Sequence, residues 1–361
     1  MTIEEINKIP MVFIVGMGRS GTTLLRTILD ANSETLFPPE AKVIIHLKQR
    51  YNHKKNWTNQ LIDNFLDDLY TEVKFAKNWN INITDLRNQI LKYDLKNITF
   101  PILIKLIYLN FPSNFDKKSI KVLGDKNPSY SLFIPELKEV FPNIKIVHLI
   151  RDYRDCILSN KKLFKRKNVF ALAVLWRIYN TKIKMDCKEL DIEYLAIRYE
   201  DIVYKAKDSI TSLCEFIHIT FDESMLNFNK EIKLEPMTHL VLMKTHPGLA
   251  QPINDSSIGK WKKEFSEIEK RRISYVLNDF GAQFGYEKID NHSSYFLGMM
   301  RGYVINYLDT AIIKGYFLLP FSIRKLIRKT ANMIFAKTGF YTVYNQGNLL
   351  HQLAKDNKLG N

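Results

Sequence analysis

A short apolar run that ends in a glycine-rich loop is the feature that most constrains the fold of this chain. Met11–Val15 is apolar and rich in β-branched residues, and residues 16 to 23 read Gly-Met-Gly-Arg-Ser-Gly-Thr-Thr. Apolar residues then recur at helical spacing from Leu24 to Leu29. This order predicts a β-strand, a tight loop and an α-helix.

Two further apolar runs extend the same pattern. Ile144–Ile150 passes through Arg151-Asp152 into a segment with apolar residues on one helical face, and Tyr194–Tyr199 is a third strand candidate. Apolar strands that alternate with helical segments predict a parallel sheet covered by helices on both faces, which is a three-layer α/β/α fold.

Length and composition fit one large α/β domain. The chain has 361 residues, of which 46% are hydrophobic, and this is ample for a packed core. We expect a domain over residues 8–290, in which about 42–115 form a helical insertion at one edge of the sheet. Residues 291–361 are expected to form a basic helical extension.

The chain carries a large positive charge. Lys and Arg number 53 against 38 Asp and Glu, which gives a net charge of +15. This charge suits nucleic acid, an anionic membrane face, or anionic substrates and cofactors, and charge alone does not choose among them.

The cysteines and the apolar stretches predict a cytoplasmic protein. Cys156, Cys187 and Cys214 are widely spaced and form no metal-ligand pattern, so neither a disulfide framework nor a zinc site is indicated. The N-terminus lacks the basic start and long apolar region of a secretory signal. The stretch Tyr303–Phe321 contains Asp309, Lys314 and Pro320, so no transmembrane span is expected.

The glycine-rich loop indicates an anion site that differs from that of a kinase. Its spacing matches the nucleotide-binding loop Gly-x-x-x-x-Gly-Lys-Ser/Thr, except that Thr22 replaces the lysine. Backbone amides and the start of the next helix can bind an anion, and Arg19 can supply the positive charge. A glycine-rich turn without a ligand, or a degraded nucleotide triphosphatase loop, remains the alternative.

A second anion site is predicted after the strand Ile144–Ile150. Arg151 follows this strand directly, and Ser159 comes eight positions later, about two helical turns on. Arg151 can donate two hydrogen bonds to a phosphate, and Ser159 can add a hydroxyl. Two such sites suit 3′-phosphoadenosine-5′-phosphosulfate (PAPS), which carries phosphates at both ends. The alternative is a set of surface charges at the start of a helix.

These two motifs, in this order, resemble those of the PAPS-dependent sulfotransferases, which have a P-loop-type fold. The closest pattern is that of the tyrosylprotein sulfotransferases and related bacterial enzymes, and it extends roughly from Met11 to Phe265. Residues 16–26 are similar to the family's 5′-phosphosulfate loop, and Arg151 through Ser159 are similar to its 3′-phosphate motif.

The resemblance implies a role for several residues. Glu40, in Pro39-Glu40-Ala41-Lys42, would be the general base, and Lys126, in Gly124-Asp125-Lys126-Asn127-Pro128, would stabilise the sulfuryl transition state together with Arg19. The alternatives are a helix N-terminal carboxylate for Glu40, a solvated loop lysine for Lys126 and a strand-end aromatic for Tyr199. No metal would be required. The residues implied to contact the donor are Gly18, Arg19, Ser20, Gly21, Thr22, Thr23, Arg151, Ser159, Tyr199 and Lys260. Thr245 is added because it lies six residues before Gln251, in the same late loop region as Lys260.

Three other residues have competing interpretations. Lys244-Thr245-His246-Pro247 looks like the catalytic histidine segment of cytosolic sulfotransferases, but there it precedes the 3′-phosphate motif and here it follows, so His246 is interpreted as a chance match. His148 and Trp176 are expected in the core rather than in the site.

The basic tail suggests a membrane or glycan contact. Residues 295–361 carry nine Lys or Arg against two Asp, and a helix at 321–329 would place its basic and its apolar side chains on different faces. The basic face could contact an anionic membrane peripherally, at the inner surface, or hold an anionic glycan. The alternative is a helix that packs on the core and leaves its basic face in solvent. No nucleic-acid module accompanies it, so no nucleic acid partner is expected.

The sequence thus predicts sulfuryl transfer from PAPS to an acceptor hydroxyl. A carbohydrate or lipid-linked sugar is favoured, and a tyrosine or a phenol remains open. The alternatives are a P-loop nucleotide kinase or other phosphoryl transferase, disfavoured because no lysine follows Gly21, and a non-catalytic nucleotide- or membrane-binding module.

Overall fold

A parallel sheet is the centre of the fold. The structure is a computed structural model that describes residues 1–164, 168–231, 249, 251–291 and 293–338. The strands in these residues are β1 (Met11–Val15), β2 (Thr35–Leu36), β3 (Val122–Lys126), β4 (Ile144–Ile150) and β5 (Glu193–Arg198). They pair in parallel in the order β2-β3-β1-β4-β5.

Helices fill most of the remaining described chain. In the first half they are α1 (Ile3–Lys8), α2 (Thr22–Ala31), α3 (Val43–Tyr51), α4 (Asn59–Leu69), α5 (Val73–Asn78), α6 (Ile83–Ile90), α7 (Phe100–Leu109) and α8 (Ile134–Val140). In the second half they are α9 (Tyr153–Phe164), α10 (Val169–Glu189), α11 (Tyr199–Tyr204), α12 (Ala206–Ile217), α13 (Phe228–Glu231), α14 (Trp261–Glu264), α15 (Glu267–Ala282), α16 (Phe296–Leu318) and α17 (Phe321–Thr338).

The predicted parallel α/β fold is confirmed, and the structure adds two strands. β1 and β4 have the predicted bounds, whereas β5 ends at Arg198 because Tyr199 already begins α11. β2 has only two residues. β3 was not predicted, because Gly124, Asp125 and Lys126 interrupt the apolar pattern that identifies a strand.

Both faces of the sheet are buried, which explains why β1 is apolar throughout. Phe13 points into a core shared with α3 to α8, and Val12 and Ile14 point into a second core shared with α2 and α12. The helices between residues 43 and 109 therefore pack against one face of the sheet. The sequence had suggested only that these helices cover one edge of the sheet.

Helix α16 packs tightly against α10. A Cβ at Gly302 would lie 2.9 Å from the carbonyl oxygen of Phe170, and one at Gly298 would overlap the Phe170 ring. The Asn306 side chain donates to the carbonyl oxygen of Ala171 at 2.8 Å. The close approach and the hydrogen bond fix which face of α16 turns toward the domain.

The orientation predicted for α17 is wrong. The sequence had placed the basic side chains in solvent, but Arg324 is fully buried and donates to Gln49 Oε1 at 2.6 Å, and Lys325 pairs with Asp68 at 2.9 Å. The apolar side chains of Ile323 and Leu326 are exposed instead. Burial of Arg324 is tolerated because oxygens of His46 and Gln49 in α3 accept its hydrogen bonds, whereas Lys325 stays exposed beside Asp68 of α4.

Among the described residues, no helix combines the length and apolar content that a membrane crossing requires.

Candidate active site

The predicted site residues follow the carboxyl ends of adjacent strands. Glu40 follows β2, Lys126 ends β3, residues 16–23 follow β1, Arg151 follows β4, and Tyr199 follows β5. Because all five strands are parallel, these ends meet at one edge of the sheet, where open α/β sheets bind ligands. The register aligns Ile14 of β1, two residues before the loop, with Lys126.

The loop after β1 leaves the start of α2 available to an anion. Gly21 has φ of 93°, a left-handed conformation, and forms the N-cap of α2 without a side-chain hydrogen bond to the first turn. Arg19 also has a positive φ of 78°. The first amides of α2 and its positive dipole end therefore face the edge of the sheet without a capping side chain.

Side chains outside the loop hold it in place. Ser131 Oγ accepts from the amide of Gly16 at 3.1 Å, and Asn160 donates to the carbonyl oxygen of Gly18 at 2.8 Å. Cys156 also donates to the Gly18 carbonyl at 3.4 Å, and burial raises the pKa of its thiol to about 11. A neutral thiol can donate, so these contacts preorganise the loop without adding negative charge.

Arg151 connects the two predicted anion sites. Its guanidinium donates to the carbonyl oxygen of Arg19 at 2.9 Å and to that of Ser257. Arg19 in turn donates from Nε to Ser159 Oγ at 3.1 Å. Burial and the neighbouring charge of Arg151 lower the pKa of Arg19. Two adjacent guanidinium groups create a strongly positive position that favours a polyanion.

Tyr199 packs between Arg151 and the loop. The Arg151 guanidinium lies 4.8 Å from the centre of the Tyr199 ring, in a cation–π contact. A Cβ on Gly21 would come within 2.4 Å of Cδ2 of the same ring. The loop therefore needs glycine here both for its backbone conformation and for the space that the ring occupies.

The segment 255–261 is held beside Arg151 by an acidic side chain. Asp155 accepts from the amide of Gly259 at 2.6 Å and from that of Trp261 at 3.1 Å. Arg154 lies over the Trp261 ring at 4.0 Å. This arrangement places Lys260, whose side chain is exposed, next to the Arg151 site.

A carboxylate between two lysines lies at the other end of the edge. Glu40 Oε2 is 3.2 Å from Nζ of Lys126, and Glu40 Oε1 is 2.5 Å from Nζ of Lys74 in α5. Burial by itself would raise the pKa of Glu40, but the charges of Lys126 and Lys74 lower it to about 2. Glu40 is therefore ionised at neutral pH.

A second buried acid lies directly behind Lys126. Asp125 accepts a hydrogen bond from the hydroxyl of Tyr108, and burial raises its pKa to about 7. Burial also lowers the pKa of Lys126, while the charge of Glu40 opposes that shift. The charge state of this corner thus depends on several coupled groups.

The sequence matches a family profile over the part of the chain that builds this site. Residues 10–223 match the profile described as "Sulfotransferase family". The chain belongs to this family. It is therefore an enzyme that transfers a sulfuryl group.

Curated relatives of this sulfotransferase are distant in sequence but extensive in coverage. It is 22% identical to protein-tyrosine sulfotransferase 1 of Danio rerio over 79% of this chain and 75% of that protein. It is 21% identical to a putative protein-tyrosine sulfotransferase of Caenorhabditis briggsae over 79% of this chain and 92% of that protein.

Solved structures share the fold of this sulfotransferase. The sulfotransferase domain from the Synechococcus PCC 7002 olefin synthase aligns with a TM-score of 0.52 and 20% identity, over 78% of this chain and 96% of that domain. The sulfotransferase domain from the curacin biosynthetic pathway gives 0.50 and 22% over 78% and 99%.

The sulfotransferase brings most of its predicted donor-site residues together. Arg19, Arg151, Ser159 and Tyr199 form one connected group through the contacts described above. In contrast, the buried Ser20 side chain lies 3.7 Å from Cys156 Sγ. This side chain therefore helps to hold the loop.

The predicted donor site also includes three threonines. Thr22 is buried at the start of α2, and the carbonyl of Thr23 accepts a hydrogen bond from Thr27. Thr245 and His246 lie outside the described residues.

Two core predictions are confirmed. His148 is buried between Tyr194 and Asn180, at 2.7 and 2.8 Å, and burial lowers its pKa to about 4. Trp176 is buried and donates to the carbonyl oxygen of Arg151 at 3.2 Å.

Lys74, Ser131 and Asn160 were missed by the sequence reasoning. Each is far from its partner in the chain, and none belongs to a recognisable motif.

The donor-side residues fit a ligand with two separate anionic groups. The Nε of Arg151 is buried and has no hydrogen-bond partner, although the other two nitrogens of its guanidinium are bonded. A buried N–H group without a hydrogen-bond partner destabilises the fold unless a ligand accepts its hydrogen bond. A Cβ added at Gly18 would meet no atom within 4 Å, so the loop also leaves open space on this side.

Proposed function

We propose that this sulfotransferase transfers a sulfuryl group from PAPS to the phenolic hydroxyl of a tyrosine in a polypeptide. PAPS supplies an activated sulfuryl group on a phosphate leaving group. The observation that carries the proposal is the Glu40 carboxylate held between Lys74 and Lys126 at one end of the site. The paired Arg19 and Arg151 lie at the other end.

The donor is held by the residues that follow β1, β4 and β5. In this proposal the loop amides and Arg19 bind the 5′ end, where the sulfate leaves. Arg151 and Ser159 bind the 3′-phosphate, to which the unpaired Nε–H group of Arg151 donates a hydrogen bond. Tyr199 contacts the adenine, and Lys260 contacts the donor from the segment that Asp155 holds.

Transfer is a displacement in which one S–O bond forms and another breaks. Glu40 accepts the proton of the acceptor hydroxyl, whose oxygen then bonds to sulfur. The bond from sulfur to the bridging phosphate oxygen breaks, and its electron pair remains on the phosphate. Lys126 and Arg19 stabilise the negative charge that develops there. The products are a sulfate ester and 3′,5′-adenosine bisphosphate.

Two observations support a phenol as the acceptor. A carboxylate whose pKa is held at about 2 is a weak base, and it suits a phenol, with a pKa of about 10, better than a far less acidic alcohol. The relatives named above are protein-tyrosine sulfotransferases.

The expected glycan or lipid-linked sugar acceptor stays a prediction that no comparison supports. Its basis was a basic tail on a protein expected in the cytoplasm, and the structure buries Arg324 of that tail. A cytoplasmic location also stays a prediction. All three cysteines are free and buried, and buried thiols do not report on the redox compartment.

A paired-peptide assay tests the proposal. The purified protein is incubated with PAPS and either a tyrosine-containing peptide or the same peptide with phenylalanine, and sulfation is read by mass spectrometry. Sulfation of the tyrosine peptide alone is expected. Sulfation of a sugar hydroxyl with neither peptide modified would refute the tyrosine acceptor.

Nucleotide titration separates the alternative functions. Calorimetry should show tight binding of 3′,5′-adenosine bisphosphate and weak binding of ATP with magnesium. The reverse order, with ATP turnover, would indicate a phosphoryl transferase. Binding of the bisphosphate without PAPS turnover on any acceptor would indicate a non-catalytic module.

A further inference from the structure

An apolar stripe runs along the outer side of α16. It consists of Leu297, Met300, Val304, the adjacent pair Tyr307 and Leu308, and Ile312, which fall on one helical face and are 43–83% exposed. A contiguous exposed apolar face of this kind marks an interaction surface.

The stripe cannot turn inward by rotation of the helix. The opposite face of α16 is held against α10 by the close approach at Gly302 and by the hydrogen bond from Asn306 to Ala171. Exposure of the stripe is therefore a consequence of how the domain packs.

Cations lie within and beside the stripe. Arg301 lies among the stripe residues and Lys314 at their edge, both exposed, and Asp309 is the one acidic residue of the described stretch 293–338, against seven Lys or Arg. Arg272 lies near the start of α16, 5.9 Å from the Phe170 ring that contacts Gly298.

Two more cations, Arg50 and Lys54, lie at the start of α17, and Arg50 also pairs with the buried Asp68 at 2.8 Å. Arg50, His53 and Lys54 line an open cavity together with Phe321 and Ser322. The exposed apolar side chains of Ile323 and Leu326 follow directly in α17. Cationic side chains of α3 and of the loop after it therefore lie beside the start of α17.

We infer that α16 and α17 dock the protein onto the surface of an anionic lipid bilayer, with the apolar stripe in the boundary between headgroups and acyl chains. The apolar side chains leave water, and the neighbouring cations meet lipid phosphates. The helices lie on the membrane, since no described helix is suited to cross it.

The charge pattern favours lipid over a second copy of this chain. If two copies met through the stripe, Arg301 and Lys314 of one copy would come near Arg301 and Lys314 of the other. Each copy offers only Asp309 to compensate these charges. Like charges that meet at an interface oppose association. The proposal is independent of the acceptor and of the roles assigned to Glu40 and Arg151.

Vesicle sedimentation tests the inference on the full chain. Vesicles of phosphatidylcholine alone are compared with an equimolar mixture of phosphatidylcholine and phosphatidylglycerol. The wild-type protein is expected to bind the anionic vesicles at least about tenfold more tightly and to lose binding as salt is raised.

Two sets of variants separate the apolar and the charge contributions. Leu308→Gln with Ile312→Gln should weaken binding about a hundredfold, and Arg301→Gln with Lys314→Gln should weaken it about tenfold. The matched controls are Ile268→Gln, an exposed apolar residue on α15, and Lys92→Gln with Lys96→Gln in the helical segment 43–109. The controls should bind like the wild type.

Stability, activity and oligomeric state distinguish membrane binding from other roles of the stripe. Melting temperatures and sulfation of a soluble acceptor should match the wild type in every variant, so that lost binding reports on the surface alone. The inference fails if the wild type does not bind anionic vesicles or if the stripe variants bind them unchanged. A wild-type dimer in sedimentation velocity that the stripe variants convert to monomer, without vesicle binding, would assign the stripe to self-association.

Discussion

Lys74 Nζ lies 2.5 Å from Oε1 of Glu40, although the two residues are 34 positions apart and belong to different layers of the fold. The contact joins α5, in the helical segment 43–109, to the loop after β2. It means that these helices, besides covering one face of the sheet, also set the charge environment of the proposed base.

Replacing Lys74 should therefore make Glu40 more basic. In Lys74→Met one of the two positive charges that lower the Glu40 pKa is gone, while the burial that raises it remains. We expect the pKa of Glu40 to rise from about 2, measured by carbon NMR of the labelled carboxyl or as the acid limb of kcat/KM. Lys48→Met, which removes an ion pair with Glu139, is the control. An unchanged Glu40 pKa would contradict this coupling.

Removing the carboxylate itself should affect turnover and leave binding intact. Glu40→Gln is expected to lower kcat by about 10²–10⁴, the usual contribution of a general base. The affinity for 3′,5′-adenosine bisphosphate should stay within about twofold, because donor binding in this proposal lies at the other end of the site. Glu139→Gln is the matched control. A Glu40→Gln enzyme with wild-type kcat would exclude this residue as the base.

Arg151 should discriminate between nucleotides with and without a 3′-phosphate. Loss of charge-assisted hydrogen bonds in Arg151→Met is expected to weaken binding of 3′,5′-adenosine bisphosphate about 10- to 100-fold. Binding of AMP, which lacks the 3′-phosphate, should fall much less. Calorimetry gives both affinities, and Arg87→Met, a surface partner of Asp63, serves as the control. An equal loss for both nucleotides would mean that Arg151 only supports the loop and Ser257.

Two glycines of the loop should respond differently to alanine. Gly21→Ala forces a side chain into a φ of 93° and against the Tyr199 ring, so we expect it to destabilise the fold by about 1–3 kcal/mol. Gly18→Ala meets no neighbouring atom and should keep the wild-type melting temperature. If Gly18 faces the donor, Gly18→Ala should instead weaken nucleotide binding. Thermal unfolding and calorimetry on both variants separate the two effects.

Asp125 should make the protein less stable as pH rises. Its folded pKa is about 7, and an unfolded aspartate has about 3.9, so the unfolded chain loses its proton first. Between these values the group lowers the free energy of unfolding by up to about 1.4 kcal/mol per pH unit. Asp125→Asn removes this dependence, so its stability relative to the wild type should rise from pH 4 to pH 7 and then level off. Urea unfolding across this range measures it, with the exposed Asp279→Asn as the control. A constant difference between variant and wild type would refute the raised pKa.

Local patterns were enough to identify the strands that flank the loop and Arg151. Met11–Val15 and Ile144–Ile150 are continuous apolar runs because both faces of the sheet are buried, and periodicity detects such runs directly. β3 escaped detection because Asp125 and Lys126 are buried polar residues, which hydrophobicity patterns assign to loops. Here the site chemistry obscured the strand.

For helix α17 the sequence could not predict which side chains are buried. The sequence separates the basic from the apolar side chains of α17, but it does not say which set faces the domain. Arg324 turns inward because Gln49 offers it an oxygen partner, and the exposed Lys325 pairs with Asp68; both partners lie more than 250 residues earlier. Only the folded chain brings those partners to this helix.

The sequence by itself determined the sulfotransferase fold, the loop with Arg19 and the Arg151–Ser159 motif, since each depends on residues close together in the chain. The tertiary structure decided that Lys74 flanks Glu40, that Arg151 contacts the backbone at Arg19 and Ser257, and that α16 exposes an apolar stripe. The physical reason is that ion pairing, desolvation and exposure depend on which distant surfaces meet. That information lies in the packing of the helices on the sheet, and no local pattern contains it.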